Sequence, residues 1–113
     1  MLEIKVGSDN AKKIFPLITG KFSIDVDDDD TNNPAEILKN IICVVTRTEN
    51  YQSFTPFQDV VVFSDDVIID KNIISGVFSF DMMNFLKFSG SGEYYILCSI
   101  YSNLSNIIKI KIE

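Results

Sequence analysis

Any chemistry in this chain must come from carboxylates, hydroxyls, amines or its two thiols, because the 113 residues include no histidine. Ser-His-Asp and Cys-His catalysis are thereby excluded in their usual forms. The densest acidic set is IDVDDDDTNN, Ile24 to Asn33, in which five of ten residues are aspartate. Calcium takes roughly six to eight oxygen ligands, and Asp25, Asp27, Asp28, Asp29, Asp30 and Asn32 offer several. The stretch lacks the glycine and the distal bidentate glutamate that an EF-hand loop requires at fixed spacing. Adjacent carboxylates repel weakly in water, by about 1 kcal/mol at ~4 Å, and Asp and Asn are frequent turn formers. The run reads as a solvated turn, with calcium as the alternative, and no metal site or cofactor is assigned.

Cys43 and Cys98 are the other candidates. A thiol nucleophile needs an activating base or positive surroundings. Lys39 and Arg47 flank Cys43 at even offsets, which serves only if that strand face is open at both ends. Two isolated cysteines do not make a structural zinc site. Two reduced, buried thiols are expected, with one long-range disulfide as the alternative if the chain is exported. The SGSG at 89–92 is too short for a phosphate-binding loop and precedes a strand rather than a helix. These absences lead to the expectation that the chain is not an enzyme.

Charge narrows the partners. The formal net charge is -6, with one arginine and nine lysines scattered along the chain. Nucleic-acid binding normally leaves a basic footprint, and anionic membranes attract basic segments. Neither partner is expected, while an acidic surface suits a basic protein partner. No apolar run is long enough to span a bilayer as a helix, so no membrane insertion is expected. The N-terminal MLEIKVGSDN lacks the cationic and apolar regions of a signal peptide, which favours a cytoplasmic location.

The elements that would position these residues are strands. Hydrophobic residues make up 46% of the chain, mostly Ile, Val and Phe, with only two alanines. β-Branched and aromatic side chains suit a pleated surface, and scarce Ala argues against long helices. Short apolar runs alternate with turn-rich gaps throughout 1–113, with no linker or repeat. That rhythm predicts one all-β domain, an antiparallel two-sheet sandwich of about seven or eight strands. LEIKV turns Leu2, Ile4 and Val6 to one face. KIFPLIT is a weaker extended piece, and KFSIDV alternates again after Gly20. EILKNIICVVTRT is the longest run; Ile41, Cys43 and Val45 take one face and Ile42 and Val44 the other, as in a strand buried on both sides. DVVVF, VIID and IISGVFSF follow. Asp81 suits the start of one helical turn with Met82, Phe85 and Leu86 packed beneath it. EYYILCSIY is a long strand, and the last strand points Ile108, Ile110 and Ile112 one way and Lys109 and Lys111 the other.

Gly92-Glu93-Tyr94-Tyr95-Ile96 resembles the Gly-x-Tyr-x-apolar opening of strand F in immunoglobulin- and fibronectin-like sandwiches. The resemblance implies that Tyr94 is a buried corner tyrosine whose hydroxyl returns to nearby backbone. Ile96, Cys98 and Ile100 would follow it into the core. Cys43 would then lie on strand B, facing F across the core, or on strand C, beside F in one sheet. The second register is preferred because it uses all the strands. The chain has no tryptophan, so the buried strand-C Trp of antibody domains is missing, and the likeness is one of architecture.

The opposite phase of the same strand is Glu93, Tyr95, Leu97, Ser99 and Tyr101. Contiguous exposed apolar area marks an interface, and tyrosine is enriched at such sites. The reading is a non-enzymatic module that binds a protein partner, or a second copy, through the outer face around 93–101. Tyr95, Leu97, Tyr101, Tyr51 and Phe54 are its candidate contacts. The competing structural reading is that NYQSFTPF folds over this face, since Tyr51, Phe54 and Phe57 need burial somewhere. Two other functions are carried: an acidic inhibitor or neutralising protein acting through loops 25–34 and 50–57, and an accessory domain of a surface or carbohydrate-binding assembly.

Overall fold

The computed structural model describes residues 1–7, 17–26, 34–59, 67–85 and 91–112. They form two antiparallel sheets, of four and five strands, packed as a sandwich. The strands are β1 (Leu2–Val6), β2 (Leu17–Asp25), β3 (Ile41–Arg47), β4 (Asn50–Phe54), β5 (Val67–Asp70), β6 (Ile73–Asp81), β7 (Gly92–Ile100), β8 (Asn103–Leu104) and β9 (Ile108–Ile112). One sheet runs β1-β2-β6-β5. The other runs β4-β3-β7, with β8 and β9 both pairing the far side of β7. The sandwich is the class the sequence rhythm predicts. The described strands exceed the expected seven or eight because NYQSF and Asn103–Leu104 contribute short ones.

Period-two alternation sets which residues form the core. Ile4, Ile18, Phe22, Ile24, Ile74 and Phe80 point in from the first sheet, and Ile41, Cys43, Val45, Tyr94, Ile96, Cys98 and Ile100 from the second; all are buried. Each buried apolar side chain contributes roughly 1.5–3 kcal/mol. Phe54, Phe57, Phe78, Phe80 and Phe85 form a ring cluster, with Phe54 stacked on Phe85 at 4.9 Å and edge-on to Phe80 at 5.9 Å. In β9 the isoleucines pack on the core while Lys109 and Lys111 are exposed, as the alternation predicts. Asn106 joins the sheets: its side-chain amide donates to Ile4 O at 2.9 Å and its Oδ1 accepts from Ile4 N–H at 2.8 Å. It thereby occupies the outer backbone groups of Ile4 on an edge strand, where unpaired groups invite pairing with another chain.

Three local expectations are corrected. EILKN is not strand: Pro34–Asn40 is a 3-10 helix that buries Ile37 and Leu38, and adjacent apolar residues on a tight turn mimic a strand buried on both faces. The middle of that run is also not two-sided, since Ile42 is exposed and Val44 half-buried. LIT and KFSID are one strand that passes through Gly20 without a break. Gly20 sits opposite Phe78 on β6, whose ring lies so close that a Cβ at Gly20 would be 2.2 Å from Phe78 Cζ. The helical turn after Asp81 is present as a 3-10 turn, Met82–Asn84, with Met82 buried and Phe85 packed on the core. The strand expected at DVVVF, the aspartate run at 27–30, Pro16 and Leu86 lie outside the described residues.

Candidate functional site

The outer face of the five-stranded sheet is built by cross-strand register. Thr46 pairs with Tyr51 on one side and Tyr95 on the other, and Tyr95 pairs with Lys109. One row across four strands therefore reads Tyr51, Thr46, Tyr95, Lys109. The adjacent row is Ser53, Val44, Leu97, and the next is Ile42, Ser99, Leu104. Paired residues project from the same face. Tyr51 is 79% exposed, Leu104 67%, Ile42 43% and Tyr95 40%, while Val44 and Leu97 are half-buried between them. The result is an apolar and aromatic surface over four strands, with serine and threonine interspersed.

Its polar rim is specific. Lys109 Nζ pairs with Glu93 Oε1 at 3.0 Å, and the Tyr95 hydroxyl donates to Glu93 Oε2 at 3.2 Å. The Lys109 hydrogen bond, then that from Tyr95, hold the Glu93 carboxyl below the usual carboxylate range, and Glu93 in turn raises Lys109. Both side chains lie at the surface, about half exposed, so the pair is screened by water and salt. Its structural effect is to fix the Tyr95 ring against the sheet. A ring already held loses less freedom when it is covered.

The sequence-derived contacts are divided by the fold. Tyr95 and Leu97 face outward together, and Tyr51 joins them because NYQSF is strand β4 beside β3. The segment flanks the face instead of covering it. Phe54 is a correction: it points inward, half-buried in the phenylalanine cluster, because it lies one phase away from Ser53. Tyr101 is 49% exposed but lies beyond the strand. β7 ends at Ile100, and Tyr101 lies in the following turn at φ 54°, so strand alternation no longer sets its direction. Ile42 extends the face as expected of a strand lying beside 93–101, and Val44 and Leu104 belong to it as well. The apolar second phase of IICVV signals Ile42 and Val44, although it reads equally as double burial, and nothing in the spacing marks Leu104.

The other candidate groups lie away from this face. Cys43 and Cys98 lie on neighbouring strands of one sheet, in the preferred one of the two arrangements, as direct cross-strand partners. Both are free and buried, and the Cys98 side chain together with burial pushes the Cys43 thiol well above its ordinary range. Lys39 pairs with Glu36 at 3.5 Å, and Arg47 lies over the Tyr94 ring, 5.6 Å from its centre. Among the described residues no three His, Cys, Asp or Glu side chains gather as a metal-binding group. A shallow depression at the β3–β4 turn is lined by Arg47, Thr48, Glu49 and Asn50. In the 50–57 segment, Phe54 and Phe57 are spent on core packing, which leaves Tyr51 as its exposed aromatic. No helix among the described residues is long and apolar enough to cross a membrane.

The first sheet offers a contrasting outer face. Ile68 and Val77 are both 69% exposed and Ile73 is 42% exposed, but register intersperses them with Ser23, Ser75, Ser79, Asp25, Asp70 and a Glu3–Lys21 pair at 3.4 Å. No family model matches this chain, and neither a curated protein nor a solved structure matches it.

Proposed function

We propose that this chain is a non-enzymatic protein-binding module of immunoglobulin-like architecture, which docks a protein partner, or a second copy, on the outer face of the five-stranded sheet. The observation that carries the reading is the row Tyr51, Thr46, Tyr95 with Ile42, Val44, Leu97 and Leu104 beside it, an apolar surface displayed by four paired strands. Aromatic anchors dominate interface energy, and the paired strands hold the backbone that carries them. The strand order supports the architectural part. With eight of the nine described strands lettered as in immunoglobulin domains and short β8 left out, β1-β2-β6-β5 corresponds to A-B-E-D, and β4-β3-β7-β9 to C′-C-F-G. Tyr94, two residues after Gly92 and wholly buried, takes the position of the corner tyrosine at the start of F.

Site-specific photo-crosslinking in the cells that make the protein tests this reading. A photo-reactive phenylalanine in place of Tyr51 should give one discrete protein adduct, with this chain or another. The same probe in place of Val77, equally accessible on the other sheet, should not. Adducts from Val77 alone, or from neither position, would reject the face as the binding surface.

A further inference from the structure

Cys43 and Cys98 are the buried nucleophilic groups that the outer face leaves unused. The type of rung they occupy follows from the bonds on the far side of β7. Cys98 N–H donates to Ser105 Oγ at 2.8 Å, and Cys98 O accepts from Ser105 N–H at 2.9 Å. In an antiparallel ladder the N–H and C=O of one residue point to the same side. Both groups of Cys98 therefore point away from β3, and Cys43–Cys98 is a non-hydrogen-bonded pair. Such pairs bring their Cα atoms to about 4.5 Å, within the roughly 4.4–6.8 Å that a disulfide spans. The two side chains project from the same face of the sheet as direct cross-strand partners, and the neighbouring Cys98 thiol is the foremost reason that the Cys43 thiol is raised.

We propose that Cys43 and Cys98 are a latent disulfide site, closed between β3 and β7 by a peroxide-class oxidant. The step balances with hydrogen peroxide. One thiol, as its thiolate, attacks a peroxide oxygen and breaks the O–O bond, giving a sulfenic acid and hydroxide, which takes up the released proton as water. The second sulfur attacks the sulfenic sulfur, forming the S–S bond and expelling hydroxide, which leaves as a second water with the second thiol proton. Two thiols lose two electrons in all, and one peroxide becomes two waters. Burial and the neighbouring Cys98 thiol keep thiolate scarce in the closed sandwich, so the rate is set by local opening. Once formed, the bridge staples the two central strands whose opposite phase carries Val44 and Leu97.

The test treats the folded, reduced chain with hydrogen peroxide, quenches it with an alkylating reagent in denaturant, and maps the peptides without reduction. The expected product is a monomer with one Cys43–Cys98 linked peptide and an unchanged β-sheet circular dichroism signal. It should melt roughly 5 °C or more above the reduced chain, reversibly on adding dithiothreitol. Formation should accelerate in urea below the unfolding transition. Thiols that stay reduced while the chain is folded, separate sulfinic or sulfonic acids, bridges between copies, or a bridge seen only with loss of the β signal would each overturn the proposal.

Discussion

Two neighbouring tyrosines with opposite surroundings test the phase of β7. Tyr94 is wholly inside and Tyr95 is 40% exposed. A buried hydroxyl is nearly always partnered, and removing it strands that partner at about 1–3 kcal/mol. Urea denaturation should therefore place Tyr94→Phe well below the native chain and Tyr95→Phe within about 0.5 kcal/mol of it. Equal losses would mean that the phase is misassigned. Glu93 supplies a second residue-scale test. Its carboxyl is held low by Lys109 and then by Tyr95, so whatever the pair contributes is present above the unfolded glutamate pKa and is lost as pH falls through the lower folded value. An NMR titration should show the Glu93 midpoint rising in Lys109→Ala and rising again in high salt. A midpoint that does not move would remove the rim from the description. Tyr95 and Leu97 were legible as outward from alternation alone. Tyr101 was not, because a non-glycine turn residue at φ 54° leaves no signature in spacing. Phe54 was misread because the sequence gives no register between NYQSF and its neighbour.

Elements were legible where a single period governed them. LEIKV, EYYILCSI and IKIKI alternate cleanly, and each is a strand with the expected face inside, save that Val6 at the end of β1 is exposed. The reading failed where two causes give one pattern: Ile37 and Leu38 are buried by a 3-10 helix, yet as letters they extend the strand that follows. Gly20 shows the converse, since a residue that normally weakens a strand is required here by the Phe78 ring above it. Gly20→Ala should cost about 1–3 kcal/mol through overpacking, and most of that cost should disappear in a Phe78→Leu background, as a double-mutant cycle in urea would report. Additive losses would show that the two do not meet. Asn106 tests the join between sheets. Asn106→Ala removes both bonds to the Ile4 backbone and should cost about 1–2 kcal/mol, with faster hydrogen exchange at the Ile4 amide and little change at Phe22. Unchanged exchange at Ile4 would contradict the bridging role.

At the scale of the whole molecule, charge and apolar surface are separated. The net charge is -6, yet the outer face of the five-stranded sheet carries Glu93 against Lys109 and Lys111, so the acidic excess lies elsewhere. Docking on this face should depend weakly on salt, whereas a basic partner held by the acidic surface would be released by it. The sandwich class was legible from rhythm because it needs only the sum of the strands. The face proposed for docking was half legible, because it depends on which strands lie side by side. The most direct measurement uses Tyr51→Ser combined with Tyr95→Ser, comparing the urea midpoint and the affinity for the protein captured at position 51, a second copy included. The account requires an affinity at least about tenfold weaker with the midpoint nearly unchanged. A lowered midpoint that corresponds to several kcal/mol of lost stability, with affinity intact, would show that the tyrosines serve the fold, and the claim would fail.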